Sequence, residues 1–593
     1  MPENTTAYQD RLELLRKEIQ KQNLDGYILP RTDEFQGEFL APYAERLKWL
    51  SGFTGSAGLA IILSDRAVVM SDGRYILQLK DQVDSNLYDI EDSIKISSGQ
   101  WLSQYAAQDS VIGYDPWLYT QKQISDIEDK IKDKGIKLRA IDGNLIDLIW
   151  KDKPDRPCAL VSIFPDEVAG KTSQEKRAQI SEQIKENECQ ACLITAGDSI
   201  CWLLNIRGGD IEFSPLCLSY VILYEDGSVD WFVDKAKLSD DIIATLGEGV
   251  RIFSFDDIKG RLNKLENQIL WVDNKSTPIW FSSVLEKNKI KIFDKEDPCI
   301  LPKAIKSLSE QEAIRKAHIA DGVAVIKFLK WIDDNQNKIE VSELSAERAL
   351  ENFRRESDDY IAPSFSTIAG FNDNGAIIHY RATNRTNKLI KGDGLLLVDS
   401  GGQYLWGTTD ITRTIAIGNP SQEMKENYTR VLKGHIAVAF AVFSKDTKGR
   451  DIDAMARKSL QEVGLDYAHG TGHGVGCYLC VHEAATHISP REEKSFESGM
   501  LVSNEPGYYK EGEYGIRIEN LILVKEDKKS EQYCFETVTL APYDNRLIVT
   551  EMLDDREKEW LFGYYNNMIE IISEYLSETE KSWLDNVTCT IAR

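Results

Sequence analysis

The chain has 593 residues, too many for one hydrophobic core, and this length predicts three or four domains. A formal charge of −25 repels phosphate backbones and anionic lipids, so nucleic-acid binding is not expected. No run of apolar residues approaches the length of a membrane span, and the first residues lack the apolar core of a secretory signal. Ten scattered cysteines are typical of reduced thiols, so we expect a cytoplasmic protein without a membrane association.

The first segment of the chain alternates helix and strand signals. An amphipathic helix carries Leu12, Leu15 and Ile19 on one face. Strands are predicted at residues 27–29, 59–63 and 67–70. The charged segment 151–157, with two prolines, interrupts regular structure. We therefore expect an α/β domain over residues 1–154.

The same order of signals returns further along the chain. Strands are predicted at residues 191–195, 218–224 and 231–233. The agreement indicates two copies of one α/β unit. The capping-box pattern Ser309-Glu-Gln-Glu312 opens a long predicted helix, so we place the second domain at residues 155–304 and the third at residues 305–593.

The third domain contains two aspartates next to predicted strands. A strand at residues 395–398 ends in Asp399, and a glycine-rich turn leads to a second strand that carries Asp410. A hairpin would bring the two carboxylates together. Adjacent buried carboxylates take up a proton unless a cation neutralises them, so the pair is a candidate metal site. Taken alone, two aspartates near turns are more often structural.

Three further residues could complete such a site. His473 lies among glycines that let the chain crowd round one point, with His469 and His482 nearby in sequence. Glu505 and Glu519 each stand in an apolar, strand-like context, where an unpaired carboxylate is costly. Four carboxylates and one imidazole would suit two divalent ions, with Mn²⁺, Co²⁺ and Zn²⁺ as candidates. Two such ions can activate one bridging water.

In this order and with these flanks, the five side chains resemble the ligands of the pita-bread metallopeptidases, and within them the three-domain aminopeptidase P (Xaa-Pro aminopeptidase). The likeness covers nearly the whole chain and includes residues 51–58, 72–75, 202–208, 374–380 and 432–437. It implies a multidomain α/β and α+β fold. Two creatinase-type α/β domains would precede a catalytic domain with a C-terminal extension, whose curved antiparallel sheet holds the metals.

The resemblance also implies how the metals are bound and used. Asp399 would chelate one ion, His473 and Glu505 the other, and Asp410 and Glu519 would bridge both. Manganese is the family's usual metal. A bridging water or hydroxide would attack the carbonyl that precedes proline in peptides with N-terminal Xaa-Pro, with Glu505 as the proton shuttle. A homodimer is a further expectation from the family.

Five positions match residues that serve the substrate in the family. His379 and His482 match histidines that contact the substrate and stabilise charge on the scissile carbonyl. Arg74 matches a residue of the N-terminal domain that reaches the substrate, and His469 matches a further substrate position. Arg517 is expected to orient one of the metal-binding glutamates, Glu519. The sequence departs from the family pattern at Trp406 and at Ala484-Ala485, which bears on pocket shape and substrate preference.

Other readings of these residues are weaker. A prolidase cleaves only Xaa-Pro dipeptides and usually has one fewer N-terminal domain, and a methionine aminopeptidase would explain only the third domain. A non-catalytic binding module on the same fold would have lost the ligands. Ser400 resembles a serine-protease nucleophile, but no histidine and aspartate in matching contexts precede it. The pairs Cys189/Cys192 and Cys477/Cys480 are interpreted as buried reduced thiols.

Overall fold

A computed structural model describes residues 5–336, 338, 340–527 and 531–589. The chain divides into two compact units, the first comprising Met1–Asp166 with Lys171–Ile300 and the second Glu167–Gly170 with Leu301–Arg593. The predicted domain boundaries at residues 154/155 and 304/305 stay predictions. None of the helices in the described ranges is long and apolar enough to cross a membrane.

The first half of unit 1 is a mixed sheet covered by helices. Its strands are β1 (Gly26–Pro30), β2 (Leu59–Leu63), β3 (Ala67–Ser71), β4 (Asp89–Asp92), β5 (Val111–Tyr114) and β6 (Lys137–Ala140). Its helices are α1 (Thr5–Lys21), α2 (Arg46–Ser51), α3 (Ile76–Gln82), α4 (Ser98–Tyr105), α5 (Gln121–Ile131) and α6 (Leu145–Ile149). The strands lie in the order β4-β3-β2-β1-β5-β6. Leu12, Leu15 and Ile19 of α1 are buried in the core of this half, as their spacing predicts.

The second half of unit 1 begins with a short strand and contains a second six-stranded sheet. Its strands are β7 (Ser162–Ile163), β8 (Ala191–Ile194), β9 (Ile206–Arg207), β10 (Tyr220–Tyr224), β11 (Val229–Phe232), β12 (Val250–Phe253), β13 (Ile269–Val272) and β14 (Lys291–Asp294). The helices of this stretch of chain are α7 (Asp166–Ala169), α8 (Ser173–Glu186), α9 (Gly197–Leu203), α10 (Asp240–Leu246), α11 (Ile258–Leu262), α12 (Ile279–Lys287) and α13 (Ile300–Ala304).

The two six-stranded sheets have the same topology. The second runs in the order β12-β11-β10-β8-β13-β14, so that β8 takes the place of β1 and β10 that of β2. In the first sheet β1 pairs antiparallel with β2 and parallel with β5. In the second sheet β8 pairs antiparallel with β10 and parallel with β13. The predicted duplication of one α/β unit is therefore confirmed.

Unit 2 combines long helices with antiparallel sheets. Its further helices are α14 (Leu308–Asn335), α15 (Glu343–Arg354), α16 (Gln422–Ala439), α17 (Gly449–Gln461), α18 (Asp555–Ile572) and α19 (Glu578–Thr588). Its strands are β15 (Tyr360–Pro363), β16 (Ile368–Phe371), β17 (Gly394–Ser400), β18 (Gly402–Tyr404), β19 (Gly407–Thr408), β20 (Ile411–Ile417), β21 (Val442–Phe443), β22 (Gly472–Gly474), β23 (Glu483–Ile488), β24 (Leu501–Asn504), β25 (Gly507–Lys510), β26 (Tyr514–Arg517), β27 (Asn520–Asp527) and β28 (Gln532–Thr537).

The long helix α14 begins two residues earlier than the sequence pattern predicted. Two overlapping Ser-x-x-Glu patterns occur here, and the structure uses the first. Ser307 Oγ accepts a hydrogen bond from the Glu310 amide at 3.1 Å, and a Glu310 carboxylate oxygen accepts one from the Ser307 amide at 2.8 Å. Ser309 lies already inside the helix, so its assignment as the cap was wrong.

Two antiparallel sheets of unit 2 bear on the site. One has the order β16-β17-β20, and the other has the order β21-β28-β27-β24-β22-β23. The strands β17 and β20 pair over seven positions, from Gly394↔Ile417 to Ser400↔Ile411, as the pattern around Asp399 and Asp410 predicts. They do not form a simple hairpin, because β18 and β19 lie between them in a separate sheet, in which β18 pairs with both β15 and β19.

Helices α16 and α17 approach so closely at Gly434 that a side chain would not fit. A Cβ atom at this position would lie 2.1 Å from the carbonyl oxygen of Ala456. We expect Gly434→Ala to lower the free energy of unfolding by about 1–3 kcal/mol, because backbone atoms would have to move. Gly563→Ala is the matched control, since its Cβ would meet nothing within 4 Å. Gly563→Ala replaces a glycine within α18 and should raise the free energy of unfolding by about 0.5–1 kcal/mol. Thermal unfolding of both variants would show shifts of opposite sign, and a neutral Gly434→Ala would contradict the close approach.

Candidate metal centre

Five predicted ligands lie at strand ends or next to strand ends of unit 2. Asp399 is the penultimate residue of β17, and Asp410 immediately precedes β20. His473 is the middle residue of β22, and Glu505 directly follows β24. Glu519 lies between β26 and β27. Each side chain is therefore carried by a backbone that a sheet holds in place.

Backbone hydrogen bonds join these strand ends. The Glu519 amide donates to the carbonyl oxygen of Thr412 at 3.2 Å, which links the segment after β26 to β20. The Glu505 amide donates to the carbonyl oxygen of Thr471 at 2.7 Å, which links the end of β24 to the segment before β22. The pairing thus brings residues more than a hundred positions apart to one point.

The side chains converge around the His473 imidazole. Its Nε2 atom lies 3.5 Å from Asp410 Oδ2 and 3.5 Å from Glu505 Oε1. Asp410, His473 and Glu519 each offer a ligand atom, and these atoms lie within 4.8 Å of one another. His473 Nδ1 lies 3.0 Å from the carbonyl oxygen of Gly474, which leaves Nε2 directed at the carboxylates. The cluster has the donor types of a divalent-metal site.

The carboxyl groups of this cluster cannot all ionise by themselves. Burial raises the pKa of Asp410 well above its usual range, and the negative charges of Glu519 and Asp399 raise it further. Burial and the charges of Glu505 and Asp399 act in the same direction on Glu519. Burial also raises the pKa of Glu505 to about 7. A divalent cation would restore the ionised form of all these groups.

Asp399 has one carboxylate oxygen engaged and one available. Its Oδ2 accepts a hydrogen bond from Arg517 Nη2 at 2.6 Å. Its Oδ1 is buried and has no hydrogen-bond partner among the residues that the structure describes. A buried carboxylate oxygen in this state needs a cation or a donor. The described residues therefore fit a centre of bound divalent ions.

Arg517 is the organising cation behind the cluster. Besides Asp399, it contacts Tyr509, whose hydroxyl accepts from Nη1 at 2.6 Å, and Thr412, whose Oγ1 accepts from Nε at 3.2 Å. Thr412 Oγ1 donates in turn to Glu519 Oε2 at 2.7 Å. Arg517 was expected to orient Glu519. The contacts show that its direct ion pair is with Asp399 and that it reaches Glu519 through a threonine.

His469 lies behind this network. Tyr509 accepts from Arg517, so its own proton is directed at His469 Nε2, 2.9 Å away. His469 Nδ1 then donates to the carbonyl oxygen of Gly470 at 2.7 Å. Both ring nitrogens thus contact protein atoms. A substrate-binding role for His469 stays a prediction, and it would require one of these bonds to be exchanged.

The two accessory histidines differ in their surroundings. The His482 side chain is exposed, and its ring centre lies 4.4 Å from that of His473 in an edge-to-face arrangement. His379 is half-buried and follows Ile378, whose carbonyl oxygen lies 3.5 Å from Arg517 Nη2. Both positions thus belong to segments that reach the cluster, and their substrate roles stay predictions.

Arg74 belongs to unit 1. Its guanidinium forms a bidentate pair with Asp72, with an Nη2 to Oδ2 distance of 2.8 Å, and lies over the Tyr75 ring. This pair holds the pKa of Arg74 above its usual range. The proposed contact of Arg74 with substrate stays a prediction.

The sequence analysis missed three residues that support the cluster. Thr412 and Tyr509 connect Arg517 to Glu519 and His469. Ser503 Oγ accepts from the His473 amide at 2.9 Å. Alternation along β20 could have indicated Thr412, because it pairs directly with Asp399. No local signal marks Tyr509.

The two cysteine pairs lie in different surroundings. No disulfide joins any cysteines in the described residues, and Cys189, Cys192 and Cys477 are buried as predicted. Cys480 is only partly buried, and the segment 477–480 is a bend rather than the strand-like context that was expected.

Comparison with known families identifies the parts of the chain. The model of Metallopeptidase family M24 matches residues 312–526, and that of the C-terminal region of this peptidase family matches residues 531–591. Creatinase/Prolidase N-terminal domain models match residues 11–148 and, separately, residues 152–310. Both copies of the duplicated α/β unit are thus recognised as this type of domain, and the predicted fold class is confirmed.

Individual relatives extend over the whole chain. Xaa-Pro aminopeptidase 1 of Dictyostelium discoideum is 37% identical, covering 98% of this chain and 96% of the relative. The X-prolyl aminopeptidase of Caenorhabditis elegans, described as a cytosolic enzyme with a di-nuclear active site, superposes with a TM-score of 0.93 at 30% identity, covering 98% of this chain and 99% of that one. The prolidase of Pyrococcus horikoshii reaches a TM-score of 0.51 at 26% identity and covers 62% of this chain and 99% of its own.

Removing the Thr412 hydroxyl tests whether the network supports metal binding. Thr412→Val should weaken divalent-metal affinity by about 10- to 100-fold, because Glu519 and Arg517 lose their shared partner. Thr412→Ser keeps the hydroxyl and should bind metal like the parent. Competition with a fluorescent chelator measures both affinities without an activity assay. Equal affinities in the valine and serine variants would contradict a role for this hydroxyl.

Proposed function

The chain belongs to the Xaa-Pro aminopeptidases of metallopeptidase family M24, and from this membership we propose that it removes the N-terminal residue from peptides with proline in second position. The observation that carries the proposal is the convergence of Asp399, Asp410, His473, Glu505 and Glu519 in a chain whose likeness to such enzymes covers 98% of its length. A prolidase relative covers only 62% of the chain.

Two divalent ions would bind the cluster. Asp399 would hold one, His473 and Glu505 the other, and Asp410 and Glu519 would be shared between them. The described geometry supports this through the Nε2 atom of His473, 3.5 Å from oxygens of both Asp410 and Glu505. Four carboxylates with one imidazole favour Mn²⁺, with Co²⁺ or Zn²⁺ as alternatives. When bound, the ions would lower the pKa of a shared water and so supply the nucleophile.

The chain's own residues would move the proton and stabilise charge. Glu505 is the most accessible carboxylate of the cluster, with a side chain 18% exposed against 5% for Asp410. It would take a proton from the attacking water and pass it to the proline nitrogen of the leaving peptide. His379 and His482 would donate hydrogen bonds to the oxygen of the scissile carbonyl.

Proline recognition must rest on shape. An Xaa-Pro bond is a tertiary amide without an N–H. It therefore cannot donate a hydrogen bond to an acceptor in the site. We propose that the substrate's free amino group lies near Asp399 and that Arg74 contributes to substrate binding. A homodimer and a cytoplasmic location stay predictions, and the latter is compatible with the cytosolic C. elegans relative.

Peptide hydrolysis by metal-stripped protein tests the proposal. We expect release of the N-terminal residue from an Xaa-Pro-Yaa tripeptide only after Mn²⁺ is added, and loss of at least about 10³-fold in rate in Asp410→Asn, because the centre would lose a shared ligand. Asp230→Asn, which removes the charge of a buried carboxylate in unit 1, controls for a mere change of charge in the core. Cleavage of Xaa-Pro dipeptides alone would establish a prolidase instead. No hydrolysis with any of the three metals would refute the peptidase proposal.

A further inference from the structure

A buried ion pair lies directly beside the exposed His482. Lys306 Nζ contacts Glu483 Oε1, and the two side chains are only 1% and 2% exposed. The residues are 177 positions apart in sequence. Lys306 immediately precedes the cap of α14, whereas Glu483 is the first residue of β23 and the chain neighbour of His482. The pair therefore joins the start of α14 to β23, the strand that follows His482.

Lys306 is itself fixed by three further hydrogen bonds. Its Nζ donates to the carbonyl oxygen of Lys303 at 3.0 Å, and its carbonyl oxygen accepts from Gln311 Nε2 at 2.9 Å. Its amide donates to the carbonyl oxygen of Gly499 at 3.0 Å. Gly499 lies two residues before β24, the strand that leads to Glu505. Lys306 thus contacts β23 and the segment that leads into β24.

The ladder between β22 and β23 is too irregular to fix His482 by itself. It pairs Gly474 with Glu483 and Gly472 with Ile488, with a register shift between them. His473 and His482 each precede a member of the Gly474↔Glu483 pair, and their ring centres lie 4.4 Å apart. The ladder is short and His482 is exposed, so the neighbouring residue Glu483 is a point at which the fold can set the position of this ring.

A buried ion pair is weak support for stability as such. The desolvation of both charges offsets their attraction, and apolar residues of similar size often stabilise a fold as well. A buried pair can instead give the two segments that carry it one defined arrangement, because each buried charge requires contact with the other. Here that geometry is imposed one residue away from a proposed substrate-contacting side chain.

We propose that the Lys306–Glu483 ion pair is a positioning element that holds His482 over the His473 side of the metal centre. The importance of His482 for catalysis rests on the proposed function, whereas its position can be observed independently. Lys306 and Glu483 act on the reaction only through this histidine and contact neither substrate nor metal.

Histidine-selective NMR tests the positioning without any activity assay. The chain has seven histidines, and His482→Ala identifies the signal of His482. The neutral double variant Lys306→Met/Glu483→Gln should shift or broaden that signal at constant pH, while the signals of the buried His318 and His435 stay in place. A second neutral pair of substitutions, Lys306→Leu/Glu483→Met, provides another perturbation if this double variant folds poorly. Lys306→Arg, which keeps the charge, should largely preserve the signal.

Kinetics with a tripeptide test the consequence. The double variant should lose roughly 10- to 100-fold in kcat with little change in KM, because displacing a catalytic group by about 1 Å has effects of this size. In a His482→Ala background the same two substitutions should change kcat by less than about twofold, since the group they position is absent. An equal loss in both backgrounds would overturn the proposal, as would an unmoved His482 signal.

A matched ion pair elsewhere in the unit serves as the control. Lys433 Nζ lies 2.5 Å from Glu557 Oε2, with side chains 24% and 10% exposed, and joins α16 to α18. Lys433→Met/Glu557→Gln removes the same chemical groups and should leave both the His482 signal and kcat unchanged. If the parent enzyme showed no peptidase activity, the NMR comparison would still decide the positioning proposal, and only the proposed function would fail.

Discussion

Mutual repulsion among buried carboxylates is the physical constraint that the structure of unit 2 has to satisfy. Asp410 and Glu519 lie almost fully buried near Asp399. Burial raises the pKa of both, and the charges of Asp399 and Glu505 raise it further. A protein core tolerates such a group only when cations or donors compensate it. The strand ends place the carboxylates together at a cost in stability, so metal binding and the stability of this part of the sheet are thermodynamically linked.

Compensation from the protein side comes from one arginine in particular. Arg517 is 2% exposed, and its contacts with Tyr509 and Asp399 outweigh burial and hold its pKa well above its usual range. Its positive charge neutralises Asp399 but leaves Asp410 and Glu519 for bound ions. The guanidinium also fixes which oxygen of Asp399 remains available, because Oδ2 is occupied. Its planar fork suits this task in a way that a lysine ammonium would not.

Sequence reasoning recovered the parts of this fold that have a local or periodic signal. The spacing along α1 follows from burial of one face, and the apolar runs at 59–63 and 191–195 follow from burial of the whole strand. The duplication follows from their repeated order. The long-range links had no such signal. The start of α14 was misplaced because two capping patterns overlap. The partners of Arg517 on β17 and β20, Asp399 and Thr412, lie more than a hundred positions away, and no local pattern in the sequence specifies such contacts.

The histidines of unit 2 show that environment assigns chemical roles that motifs leave open. Burial and the charge of Arg413 together lower the pKa of His435 to about 3, so this ring stays neutral between the Asn504 carbonyl and the Tyr543 hydroxyl. His469 is held in one tautomer by Tyr509. A histidine that must donate to a substrate needs the opposite setting, with a ring open to solvent and a backbone that is held firmly. Of these three rings only that of His482 is exposed, and its backbone is anchored by the buried neighbour Glu483.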